Sequence, residues 1–201
     1  LLLSKYGNDP VRWYLIKDIS LGNDGDFQDK RFVDIINNDL ANTIGNLLNR
    51  TSSMSRKWFD NKVPNNYKLI NNKIASLTEL TVQNYIKNFN NYKIDLASND
   101  VLNLAINTNL YLNDNQPWIL IKDPNNISEV EDIIYNVLES TRIIGLLLLP
   151  ILPDLAVKID QQLGEIYKKE KPWLEQLKWG LLMQNSILPK PIPIIQKLDY
   201  E

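Results

Sequence analysis

Val33, Ile36, Leu40, Ile44, Leu47, Thr51, Met54 and Trp58 recur at steps of three and four. That is the repeat of one apolar stripe on an α-helix. It predicts a helix over residues 29–59, closed by the turn-rich DNKVPNN. A helix of roughly 30 residues is about 45 Å long, which suits the spine of a bundle.

Shorter patterns flank it. Residues 9–19 read as a helix with Asp9 as its cap and Pro10 in its first turn. Residues 71–89 and 92–112 read as two more. The second draws its stripe from Ile94, Val101, Leu102, Ala105, Ile106 and Leu110, and Pro117 stops it. DPNN at Asp123 to Asn126 is a turn. A helix over 128–149 follows, with Ser128 and Glu131 as a capping box and Pro150 as its stop. The last helix, 153–163, ends at Gly164. No stretch alternates long enough for a sheet strand, and no internal repeat is visible. SLGNDGDF breaks the pattern between a leading part and the main body. PKPIPIIQKLD reads as extended chain, because its prolines prevent a helix. The expected fold is therefore all-α: a bundle of about five helices with an extended C-terminal tail. The expected parts are a leading segment (1–28), the bundle (29–164) and a tail (165–201).

Composition narrows the chemistry. With 44% hydrophobic and 23% charged residues, the chain resembles an ordinary globular protein. It contains no Cys and no His. That excludes a Cys/His zinc site, a disulfide frame and any His-based catalytic relay. The net charge of −2 argues against a general nucleic-acid clamp. It leaves room for a selective reader of a few exposed bases, because base contacts specify while phosphate contacts add affinity. The most apolar run, IIGLLLLPIL, covers about ten residues, against the roughly 20 a membrane helix needs. No basic stretch precedes LLLS at the start, so a signal peptide is not expected. The first residue is not Met, so a part of a longer protein is expected. Asn is frequent throughout, along with Ile and Lys, which lowers the weight of any single Asn.

Two places could carry recognition. Asn46 and Arg50 lie four residues apart on the spine and share a face, with Asn42 one turn earlier. They flank the apolar stripe. Amide and guanidinium groups so placed can read an unstacked base edge. The same spacing also fits a plain polar face with Arg50 paired to a carboxylate. Trp118 follows Pro117 at a helix–loop junction, where an aromatic ring can stack a base or plug the core. Asp24 and Asp26 read as a turn rather than a metal site. Glu129 and Glu131 suit the positive end of a helix dipole. No carboxylate pair suggests acid–base catalysis.

YGNDPVRWYLIKDISLGNDGDF at Tyr6 to Phe27 resembles the segment after the KMSKS loop of class I methionyl-tRNA synthetases, with Trp13 where Tyr is common. NDLANTIGNLLNR at Asn38 to Arg50, NQPW at Asn115 to Trp118, RIIGLLLLPILP at Arg142 to Pro153 and KPIPIIQKLD at Lys190 to Asp199 resemble further parts of that family. Each motif is weak alone; together they cover nearly the whole chain. The resemblance implies an anticodon-binding helix bundle. It implies that Asn46, Arg50 and Trp118 recognise the CAU anticodon, with Pro117 as geometric support and Asn42 as a weaker match. It implies a parent enzyme that attaches methionine to tRNA with ATP and Mg2+ in a domain outside this chain, where the family's zinc knuckle also lies. No cofactor, metal or catalytic residue is expected within this chain. The implied partners are tRNA(Met), initiator tRNA included, and the catalytic domain. A cytoplasmic monomer with no membrane association is expected. A protein-binding helical scaffold is the competing expectation. It requires Asn46, Arg50 and Trp118 to be buried or ion-paired, with no shared groove.

Overall fold

The computed structural model describes residues 2–18, 25–66 and 73–200. Asp24 of the DGD turn, most of the break before it, and residues 71–72 of the expected second bundle helix lie outside them. In chain order the helices are α1 (Leu2–Tyr6), α2 (Asn8–Asp18), α3 (Asp29–Ile35), a π-helical stretch (Ile36–Gly45) and α4 (Asn46–Trp58). They continue with α5 (Lys73–Asn90), α6 (Ile94–Asn115), α7 (Pro117–Leu120), a 3-10 turn (Pro124–Asn126), α8 (Ile127–Leu148), α9 (Pro153–Gln162) and α10 (Trp173–Gln176). The all-α expectation holds. The helices are more numerous than about five, because α1, α7 and α10 are too short to show a period in the sequence. Among the described residues the extended chain pairs only at one isolated antiparallel bridge, Lys62 with Ile187.

The spine is one continuous helix from Asp29 to Trp58, but its middle is wound more widely than an α-helix. The Asn46 N–H reaches back five residues to the Ala41 carbonyl. The Thr43 hydroxyl likewise donates to the Asn38 carbonyl, at 2.7 Å. Val33, Ile36, Leu40, Ile44, Leu47 and Thr51 are buried as the stripe predicts, and Met54 and Trp58 are half-buried.

α8 is the hub. Nearly every residue from Val130 to Leu148 is buried, and α8 packs against α4, α5, α6, α7 and α9. A helix buried all round belongs at the centre of a core. It admits a fully buried ion pair, Arg142 with Glu139, whose side chains are 4% and 0% exposed. Gly145 allows α9 to come close. A Cβ there would meet Ile159 Cγ2 at 2.8 Å and Ile159 Cβ at 3.3 Å.

Four expectations need correction. Asp9 lies inside α2 and does not cap it. Its carboxylate accepts the Leu155 N–H at 2.6 Å, in the first turn of α9. A helix start thus finds its cap 146 residues away in sequence. Ser128 and Glu131 form no capping box. α8 begins at Ile127, and Glu131 instead accepts from Asn65 Nδ2 at 2.9 Å. The side-chain cap belongs to the preceding turn, where Asp123 accepts the Asn125 N–H at 2.9 Å. The α6 stripe is shifted: Leu104, Thr108 and Leu112 are buried, while Ile106 and Leu110 are exposed at 40% and 51%. α6 also runs on to Asn115, because the break comes only at Gln116, whose φ is +43°.

The tail lies on the bundle. Glu139 accepts the N–H groups of Gly180, Leu181 and Leu182 at 2.7, 3.1 and 3.1 Å. Further on, Ile195 Cγ2 approaches Gly45 so closely that a Cβ there would sit 3.0 Å from it.

Candidate nucleic-acid interface

Trp118 is placed by a sharp corner. α6 ends at Asn115, Gln116 takes the left-handed conformation, and Pro117 opens the single turn of α7 at its first position. Proline suits that position because its φ is preset and it has no N–H to leave unpaired. The corner is closed by Ile119 N–H donating to the Gln116 carbonyl at 2.8 Å. Pro117 is buried, so the corner is fixed to the core, and Trp118 is half-buried.

The corner faces the spine. The Arg50 guanidinium carbon lies 5.7 Å from the centroid of the Trp118 ring, within the range of a cation–π contact. Arg50 Nη2 donates to Asn113 Oδ1, near the end of α6, at 3.2 Å. Among the described residues Arg50 forms no ion pair. Its charge is held by a ring and an amide, and most of its N–H donors remain available. The carboxylate-paired reading of Arg50 does not hold, whereas Trp118 packs against the core with part of its ring left in contact with solvent.

Asn46 is exposed one turn before Arg50. It lines a cleft between the spine and the tail, together with Asn42, Gly45 and Asn49 from the spine and Pro193, Ile195 and Lys197 from the tail. Asn42 is also exposed. Arg50 and Trp118 do not line this cleft; the spine carries its amides in the cleft and Arg50 one turn beyond Asn46, against Trp118. Asn109 Nδ2 braces the spine from α6 by donating to the Thr43 carbonyl at 3.2 Å.

The sequence reading missed Asn49, Asn113 and Lys197. Asn49 was within reach, since it lies three residues from Asn46 on the same helix. Asn113 and Lys197 meet the spine only through the tertiary fold, and nothing local marks them. Among the described residues no group of three or more Asp or Glu could hold an ion.

Residues 1–52 match the family model described as tRNA synthetases class I (M). The methionine–tRNA ligase of Bacillus subtilis is 35% identical over 204 residues, an alignment covering all of this chain and 30% of that protein. That of Synechocystis is 37% identical and covers 98% of this chain and 39% of the relative. Apo methionyl-tRNA synthetase of Mycobacterium tuberculosis superposes with a TM-score of 0.90 at 28% identity, covering all of this chain and 41% of that one. Its structure bound by methionyl-adenylate gives 0.87 at 29% identity.

The helix bundle and these matches define a segment of a class I aminoacyl-tRNA synthetase. Within that class, the chain belongs to the methionyl-tRNA synthetase family. It spans between 30% and 39% of the length of these two curated relatives.

Proposed function

We propose that this chain is the tRNA-reading part of a methionine–tRNA ligase and that it recognises the CAU anticodon. The observation that carries the proposal is the meeting of Arg50 and Trp118. They lie on separate helices, 5.7 Å apart, beside an exposed row of amides. A ring held against a guanidinium offers a stacking surface for a base unstacked from the anticodon loop. Arg50 and Asn46 supply donors and acceptors for base edges. Pro117 keeps the ring in place, and Asn42 extends the amide row into the cleft. A wrong base would leave one of these polar groups desolvated and unpaired, and that penalty is what discriminates.

In this reading residues 1–28 belong to a stem-contact region beside a catalytic domain, 29–164 form the anticodon-binding bundle and 165–201 form a tail that packs back on the bundle or on that domain. The whole enzyme would join methionine to tRNA(Met), initiator tRNA included, using ATP and Mg2+ in the catalytic domain, where a structural zinc would also lie. It would act as a cytoplasmic monomer. Among the described residues no helix is long and apolar enough to cross a membrane.

The test is binding of a CAU anticodon stem-loop against a loop with scrambled anticodon, measured by fluorescence anisotropy. A clear preference for CAU is expected. Equal binding of the two loops would overturn the specificity claim. Salt dependence should be shallow, because 24 Asp and Glu offset the 22 Lys and Arg, so this charge balance leaves few phosphates to be neutralised.

A further inference from the structure

A second recess lies in the distal half of the bundle, where the C-terminal half of α8, α9 and the 165–182 segment enclose a cavity of about 380 Å3. This is within the range of about 300–1,000 Å3 typical of small-molecule sites. Leu146, Leu149, Val157, Leu163, Ile166 and Leu181 line it. Val157 and Leu181 remain 48% and 45% exposed, so apolar surface is left uncovered at its edge.

The polar part of the lining is asymmetric in charge. Lys168, Lys171 and Lys178 all contribute and all are exposed, and Lys171 and Lys178 form no ion pair among the described residues. Opposing them are Asp160 and Glu175. Asp160 is already engaged, since Oδ1 accepts the Ile166 and Tyr167 N–H groups, both at 2.9 Å. Arg142 is also in the lining, and its charge is matched by Glu139. Four of its five N–H donors go to Glu139, Gln176 and Lys178. The fifth, on Nη1, has no protein acceptor among the described residues.

We propose that this cavity binds a small amphipathic carboxylate, with its apolar body against Leu146, Leu163 and Ile166 and its anionic head met by Lys171 and Lys178. The apolar lining supplies affinity by removing hydrocarbon from water. Three lysines against two carboxylates, together with the spare Arg142 donor, favour an anion over a cation or a neutral alcohol. The site is separate from the Arg50–Trp118 pair, so the inference does not depend on the anticodon proposal.

Decanoate is a suitable probe, titrated into the 201-residue chain by calorimetry, with decanol and decyltrimethylammonium as matched controls. One-site saturable binding of decanoate is expected, with little from either control. Val157→Trp places a large ring at the exposed edge of the cavity without touching the core, and should abolish binding. The double variant Lys171→Glu, Lys178→Glu should weaken binding about tenfold or more, equivalent to about 1.4 kcal/mol. Circular dichroism should show unchanged helicity in both. CAU stem-loop binding by Val157→Trp should match the parent, which separates this result from the fate of the anticodon proposal. No saturable decanoate binding, equal binding of decyltrimethylammonium, or binding that survives Val157→Trp would each overturn the inference.

Discussion

The Arg142 guanidinium and the Glu139 carboxylate meet in a two-pronged contact inside α8, with Nε to Oε2 at 2.8 Å and Nη2 to Oε1 at 2.7 Å. Each partner then reaches beyond the pair. Arg142 donates to the carbonyls of Gln176 and Lys178 at 2.6 and 2.7 Å. Glu139 accepts three successive N–H groups from Gly180 to Leu182. The pair is a clamp on the tail. Glu139→Ala would strand a buried guanidinium and three N–H groups, a loss of about 3–5 kcal/mol for a broken buried pair. Urea denaturation should read that loss. Limited proteolysis should cut within 176–182 before the bundle unfolds. A tail that stays protected in this variant would refute the clamp.

Trp118→Ala should lower affinity for a CAU stem-loop by about 1–3 kcal/mol, the typical worth of one stacked base. Arg50→Ala should weaken CAU binding and leave scrambled-loop binding nearly unchanged. Both side chains lie at the surface of the core, so thermal unfolding should move little. A large fall in melting temperature would point to a structural role for the pair instead.

Gly145→Ala is expected to be destabilising even though alanine is the better helix former. The added Cβ would fall 2.8 Å from Ile159 Cγ2 and 3.3 Å from Ile159 Cβ. Ile159 is buried and cannot swing aside, so α9 must shift. Overpacking of this kind costs about 1–3 kcal/mol. A rise in melting temperature would show that α9 yields freely.

Asp39 offers a pH test. Its carboxylate accepts the Trp13 Nε1–H at 3.0 Å. Burial raises its pKa above the usual carboxylate value, against the opposing pull of that bond and of Lys17. A raised carboxylate pKa means that protonation favours the folded state. The stability it contributes is present at acid pH and is lost as pH rises through the raised value. Asp39→Asn keeps an acceptor for Trp13 and removes the ionisation. Its stability relative to the parent should therefore improve from acid to neutral pH, as followed by urea midpoints. A constant difference would show that the burial of Asp39 carries no electrostatic penalty.

Asp9→Ala should destabilise the chain by about 0.5–2 kcal/mol, the range for losing a helix cap. The loss should appear as earlier hydrogen exchange in α9, not in α2. This residue also shows where reading the sequence stops. The spine helix was legible because its stripe repeats over many turns, and so were the ends of α8 and α9, because Pro150 and Gly164 interrupt locally. Asn46 and Arg50 were legible as a shared face. Asp9 was assigned to the wrong helix, and Ser128 to a cap it does not form. Local chain order cannot say that residues 9 and 155 meet, nor that Glu131 is drawn away to Asn65. The partnership of Arg50 with Trp118 and Asn113 was hidden for the same reason. Either partner suits several neighbours, and only the packing of α6 against the spine selects one.

The π-helical stretch leaves a mark on how this protein can vary. Each residue of an α-helix turns the chain by about 100°, whereas the wider winding between Ile36 and Gly45 absorbs extra length within an unbroken rod. The compass bearing of Asn46 and Arg50 relative to Phe32 and Val33 is therefore indexed by how many residues that stretch holds. Removing one of them could leave the helix intact yet swing the amide row away from Trp118. Any change in the number of residues between Val33 and Asn46 resets that phase, and the stretch holds most of them.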